Sequence, residues 1–415
     1  MKLKQWQTKI FLLLWITYAS FYLGRVNFSV AIPGIMAQFG WTRAQLGVVG
    51  TALFWAYAVG QFVNGQLGDR IGARIMIAVG LVVSAFLNVA FGSCGSLDAM
   101  IVLWAANGYF QACGWGPVVK TMANWFPSSV RGKMSGRLGT SYILGGVVSV
   151  ALAGFIAVGN GWRMTFYIPA ILMMLFATQW YVKARNSPID AGLLGTKPLA
   201  EVSTRSALRL SVGNPQVWIM GFGLFFTNIL RYGFLTWAPT YLFEVQHASI
   251  DKAAYSSALF PIAGALGAVF AGYASDKWFQ SRRAPVASVC LALAGVLAWL
   301  YRFAVPIESW ALGLAVLAAT GFAVFGAHVL IVAAAPADLG TRKAASSATG
   351  FIDCLGYIGA GVQGIATGLL VDRFDWSAGF AFWAASALAG AGLVALMWKF
   401  KVNSFQFEEE GKLRR

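Results

Sequence analysis

Long apolar runs separated by short polar breaks set the organisation of this chain. Twelve such runs can be drawn, at 10–36, 45–67, 75–94, 99–124, 132–157, 162–182, 216–242, 253–274, 284–302, 310–334, 343–370 and 376–398. As helices rising about 1.5 Å per residue, each is long enough to cross a hydrocarbon core about 30 Å thick. The runs are continuous rather than short and alternating, which excludes a transmembrane β-barrel. The expected fold is an all-α membrane protein with twelve transmembrane helices in two pseudo-symmetric six-helix bundles. The one long polar stretch lies between the sixth and seventh runs and carries Pro188, Pro198, Lys183, Arg185, Lys197, Arg205 and Arg209. The expected organisation is therefore an N-terminal bundle over 1–182, a linker over 183–215, and a C-terminal bundle with a short tail over 216–415.

Composition sharpens this picture. Of 415 residues, 58% are hydrophobic and only 11% are charged, against about 25% charged in soluble domains. There is too little polar material to cover a water-facing surface. The net charge of +16 would suggest nucleic acid in a soluble protein, but its distribution points elsewhere. With the N terminus placed inside, 23 of the 31 Lys and Arg fall on the inner side, five in outer loops and three within spans. This asymmetry predicts cytoplasmic termini and a cytoplasmic linker, and it explains the basic balance without nucleic acid. Cys94, Cys113, Cys290 and Cys354 lie in or beside apolar runs without metal-ligand spacing, and His247 and His328 are not spaced as ligands. No metal, cofactor or enzymatic chemistry is expected. His328 reads as a buried core histidine. A bacterial inner membrane and a monomer are the expected setting, from the compact loops and short tails.

The chain repeats itself. Gly65-Gln66-Leu67-Gly68-Asp69-Arg70 follows the second run and Gly272-Tyr273-Ala274-Ser275-Asp276-Lys277 follows the eighth. Arg25 sits in the first run with Pro33 beyond it, and Arg231 sits in the seventh with Pro239 beyond it. Both pairs share one period of about half the chain. Parallel repeats of this kind place a substrate site between the halves near the bilayer midplane. The stretch from Gly65 to Arg74 resembles the signature loop of the major facilitator superfamily. The resemblance implies that Asp69, Arg70, Arg74, Asp276 and Lys277 are conformational latches rather than ligands.

An intramembrane cation costs at least about 2.5–3.5 kcal/mol, so it needs a reason to be there. Arg25 and Arg231 both fall near mid-depth, and Asp353 is the one carboxylate at comparable depth. Two guanidiniums against one carboxylate leave an excess of positive charge that an anion would resolve. The planar guanidinium fork matches phosphate or carboxylate oxygens in a bidentate way, and two forks suit a tetrahedral dianion. Tyr18, Tyr22 and Ser29 share a helix face with Arg25, as do Tyr57, Gln61 and Asn64 with one another. Lys120 either snorkels to the interface or receives incoming anions.

Beyond this, the stretches Tyr22–Phe28, Gly114–Phe126, Arg131–Gly136, Leu230–Leu242 and Lys343–Gly359 resemble the organophosphate:phosphate antiporter family, across essentially the whole chain. The resemblance implies that Arg25 and Arg231 clamp phosphate. Around that clamp the expected substrate-binding set comprises Tyr18, Tyr22, Tyr57, Gln61, Lys120, Tyr142, Asn228, Asp353 and Tyr357. The chain departs from the glycerol-phosphate transporters of that family. Gly139 and Tyr142 stand where those have Asn and His, and Gln61 stands where they have Lys. Tyr142 still hydrogen-bonds phosphate, but a phenol titrating near about 10 is no near-neutral proton switch. The expected function is exchange of inorganic phosphate and a phosphate monoester by alternating access. Two alternatives stay open: a proton-coupled organic-anion symporter, and a sugar-phosphate receptor of the same fold.

Overall fold

A computed structural model describes residues 2–193, 212–280, 282–304, 310–334 and 342–399. All twelve apolar runs are helical within it. Helices α1 (Lys2–Phe21) and α2 (Asn27–Phe39) form the first crossing, α3 (Arg43–Ile71) the second and α4 (Ala73–Ser93) the third. The fourth is built from α5 (Leu97–Gln111) and α6 (Trp115–Trp125). Helix α7 (Ser128–Lys183) supplies the fifth and sixth, turning at Gly161, whose φ of 75° a side chain would strain. The second half follows as α8 (Pro215–Glu244), α9 (Ile250–Ser257) with α10 (Leu259–Trp278), α11 (Arg283–Ala304), α12 (Trp310–Val329), α13 (Arg342–Arg373) and α14 (Trp376–Ala395). The two halves thus repeat six crossings each. The linker residues Lys197, Pro198, Arg205 and Arg209 lie outside the described residues.

Three runs expected as single helices are broken: the first at Tyr22–Gly24, the fourth after Gln111 and the eighth at Ala258. Among the described residues, nine helices are long and apolar enough to span a membrane, one of them long enough to span it twice. Phe86, Phe155, Leu266 and Val269 stand exposed on the outer surface, a liability in water but the expected face toward lipid. Large aromatics such as Trp104, Trp237 and Trp383 fill the interior instead.

We term the end where α1 begins the near end and its opposite the far end. The halves are closed against each other at the far end. Helix α3 of the first half runs along α13 of the second so closely that a Cβ on Gly47 would land on the Gly364 carbonyl oxygen. Thr51 Oγ1 donates to the Gly361 carbonyl at 2.6 Å and accepts from Ile365 N–H at 3.1 Å. Arg43 then locks the rim. Its Nε and Nη2 donate to Glu244 Oε2 at 3.1 and 2.8 Å, and its Nη1 donates to Asp372 Oδ1 at 3.1 Å. The Asp372 carboxylate also accepts from Ala44 N–H at 2.7 Å. A carboxylate from the second half therefore caps the first turn of α3, where orphan N–H groups and the helix dipole favour negative charge.

Candidate functional site

The first crossing unwinds where its charge sits. A 3-10 turn over Tyr22–Gly24 leads to Arg25 at φ −124°, ψ −50°. At this break the Gly24 carbonyl accepts from Asn107 Nδ2 at 2.8 Å and from Asn88 Nδ2 at 3.2 Å. Polar backbone away from water must be satisfied by such partners. The same cluster holds the arginine. Arg25 Nε and Nη2 donate to Gln111 Oε1 at 3.3 and 3.2 Å. Gln111 Nε2 donates in turn to Ser84 Oγ at 2.8 Å, and Ser84 donates to Asn107 Oδ1. Ser84, Asn88, Asn107 and Gln111 are fully buried. The Arg25 guanidinium lies 4.4 Å from the Tyr57 ring centroid and 5.0 Å from that of Tyr22, contacts worth about 0.5–2 kcal/mol each.

Arg231 sits on unbroken α8. Its guanidinium lies 4.6 Å from the Phe325 ring and 4.9 Å from the Tyr232 ring. Arg231 Nη1 approaches His328 Nε2 at 3.3 Å. Arginine only donates, so Nε2 must accept here, which makes His328 neutral with its proton on Nδ1. Gln111 and His328 both belong to the fourth crossing of their own half. Each arginine is thus held by one neutral polar side chain at a corresponding place.

Both arginines are buried, 6% and 5% exposed, and each keeps an N–H without a partner: Arg25 Nη1 and Arg231 Nε. Among the described residues, no carboxylate forms an ion pair with either. Asp353, the carboxylate at comparable depth, makes no such pair. One cavity is lined by Arg25 and Arg231 together with Tyr22, Tyr142 and Tyr232.

The other expected residues distribute around it. Tyr22 and Tyr142 stack with centroids 6.4 Å apart at the cavity wall. Tyr57 reaches the site through its ring on Arg25 and packs on Tyr357 at 4.4 Å. Because the helix breaks at Arg25, the expected common face of Tyr18, Tyr22 and Ser29 does not form. Ser29 lines the cavity, whereas Tyr18 packs behind it on Trp115 at 5.0 Å. Gln61, Lys120, Asn228, Asp353 and Tyr357 are not among the residues lining this cavity. Asn228 is buried with Oδ1 unpartnered.

Of the expected latches, Arg74 donates from Nε to the Tyr181 carbonyl at 2.6 Å, and Asp276 pairs with Arg283 at 2.6 Å. Lys277 donates to the Tyr273 hydroxyl at 2.6 Å. These contacts stay within one half. The side chains of Asp69 and Arg70 lie outside the described residues. Sequence reasoning missed Ser84, Asn88, Asn107, Gln111, Tyr232 and Phe325, and it did not place His328 beside Arg231. Asn88, Asn107 and Gln111 inside apolar runs also needed partners, as uncharged amides that are costly to bury without hydrogen bonds.

Twelve crossings in two repeated halves around a central charged cavity define a membrane carrier. The chain belongs to the Major Facilitator Superfamily, whose family model matches residues 14–364 and 246–412. It is an integral membrane transporter of that superfamily and not an enzyme. It is 33% identical to the glycerol-3-phosphate transporter of Bacillus subtilis (strain 168), over 95% of this chain and 93% of that one. It is 31% identical to a probable hexose phosphate transport protein of Chlamydia pneumoniae, over 91% and 88%. It is also 28% identical to the membrane sensor protein UhpC of Escherichia coli (strain K12), over 95% and 92%. In fold it matches a bacterial homologue of the human lysosomal transporter Spinster, solved inward-facing and unoccupied, with a TM-score of 0.76 at 17% identity over 94% of this chain and 95% of that one.

Proposed function

We propose that this chain exchanges inorganic phosphate for a phosphate monoester by alternating access, with Arg25 and Arg231 gripping the phosphate between the halves. One observation carries the reading: two buried guanidiniums, one from each half, line a single cavity, keep unpartnered N–H groups and form no ion pair with a carboxylate among the described residues. The names of the glycerol-phosphate and hexose-phosphate relatives support the same substrate class. Phosphate would supply the missing negative charge, and neutralisation would let the halves rock around it. An empty carrier would have to occlude two bare cations, which favours exchange over net flux. The asymmetry of Lys and Arg supports cytoplasmic termini in a bacterial inner membrane. The near end then faces the cytoplasm, and the conformer described is sealed on the outside.

The test is counterflow of labelled phosphate in proteoliposomes. Unlabelled internal phosphate should drive transient accumulation of label, and excess external phosphate monoester should suppress it. Protein that binds phosphate without exchanging it would be a receptor, like the sensor among its relatives. Asp353 gives a second expectation. Because it forms no ion pair with either arginine here, Asp353→Asn should leave phosphate–phosphate counterflow within about threefold, and it should remove uptake driven by an imposed pH gradient if this carboxylate carries a coupled proton. Parallel loss of both activities would show instead that Asp353 supports the arginines in another conformer.

A further inference from the structure

The cavity continues from the arginines toward the sealed far end, and the character of its wall changes on the way. At the arginine level it presents Tyr22, Tyr142 and Tyr232 beside Phe54 and Phe325; beyond that its wall is mainly Phe28, Leu53, Trp104, Ile143, Phe234 and Leu235. Each hydroxyl in this outer part already makes one hydrogen bond, which leaves Ser29 and Ser257 able only to accept and Thr236 free to donate. Ser29 Oγ donates to the Val26 carbonyl at 2.7 Å, Ser257 Oγ donates to the Ala253 carbonyl at 2.7 Å, and Thr236 Oγ1 accepts from Gln363 Nε2 at 3.4 Å. Two glycines on the wall leave open space. A Cβ on Gly50 would meet only Phe28 at 3.9 Å, and one on Gly146 only Tyr22 at 3.6 Å.

We infer that this lobe receives the organic part of the substrate, and that the preferred phosphate monoester carries an apolar ring or short branched chain rather than a polyhydroxylated sugar. The inference rests on the phosphate reading above. A sugar entering the lobe would trade its water hydrogen bonds for a mainly apolar wall whose three hydroxyls cannot replace them all. A hydroxyl left unsatisfied on burial is penalised, whereas each buried methylene is favoured. Recognition would be divided, with the arginines and tyrosines reading the phosphate and the lobe rejecting polar alcohols.

The experiment is competition against labelled-phosphate counterflow by phenyl phosphate, glycerol 3-phosphate and glucose 6-phosphate. Phenyl phosphate should inhibit at a concentration at least tenfold below either of the others. In Gly50→Val, and independently in Gly146→Val, the half-inhibitory concentration of phenyl phosphate relative to that of inorganic phosphate should rise at least tenfold. Both variants are read, so poor folding of one leaves the other. Equal or better inhibition by glycerol 3-phosphate or glucose 6-phosphate overturns the lobe assignment while leaving the clamp intact, as does an unchanged ratio in the folded glycine variants. Absence of phosphate counterflow in the unmodified protein overturns the clamp reading itself, and the lobe assignment with it.

Discussion

Arg25→Lys and Arg231→Lys should each reduce labelled-phosphate counterflow at least tenfold, and to a similar degree, at matched reconstitution. Lysine keeps the charge but loses the planar fork. Arg25 uses Nε and Nη2 together on Gln111 while Nη1 remains unpartnered. A single ammonium cannot hold the amide and grip phosphate in the same geometry. At Arg231 the fork divides between His328 and a free Nε. A charge-assisted hydrogen bond contributes about 1.5–3 kcal/mol, so losing even one is worth a factor of ten or more. Near-normal exchange in either variant would remove that arginine from the clamp, and with it the main ground for phosphate over carboxylate.

The second large effect is expected far from the arginines, at Gly47. A side chain there meets the backbone carbonyl of Gly364, an atom that cannot swing aside as a flexible side chain would. Gly47→Leu should therefore prevent closure of the far end and abolish counterflow, while phosphate still raises the thermal unfolding temperature. In a Cys94→Ser background, a cysteine at position 53 should become reactive to a membrane-impermeant thiol reagent applied from the far side. Exchange at near-normal rates would mean that turnover does not pass through the closed contact between α3 and α13.

The twelve crossings were legible because the hydrophobic pattern is a property of local sequence, and the repeat was legible because Arg25 and Arg231 share their spacing to Pro33 and Pro239. The break at Arg25 was not legible. It is stabilised by Asn88 and Asn107 on other helices, and no period in the sequence joins them to Gly24. The two arginines were found from their cost in a bilayer, but the side chains that hold them were not, because these are neutral and sit on the fourth crossing of each half. The far-end lock escaped for a related reason. Arg43 reads as a loop charge, and its partners Glu244 and Asp372 lie 201 and 329 residues away.

The polar cluster at Gln111 has a consequence for how cargo travels. Arg25 is braced by an amide that is itself held through Ser84 and Asn107, with two tyrosine rings on its guanidinium. Arg231 leans on one imidazole and two rings. Where the halves swing apart, an anion shared between them stays with the stiffer grip. Phosphate would then ride on the N-terminal half as a fixed berth, while the C-terminal half acts as the door that shuts over it and lets go first.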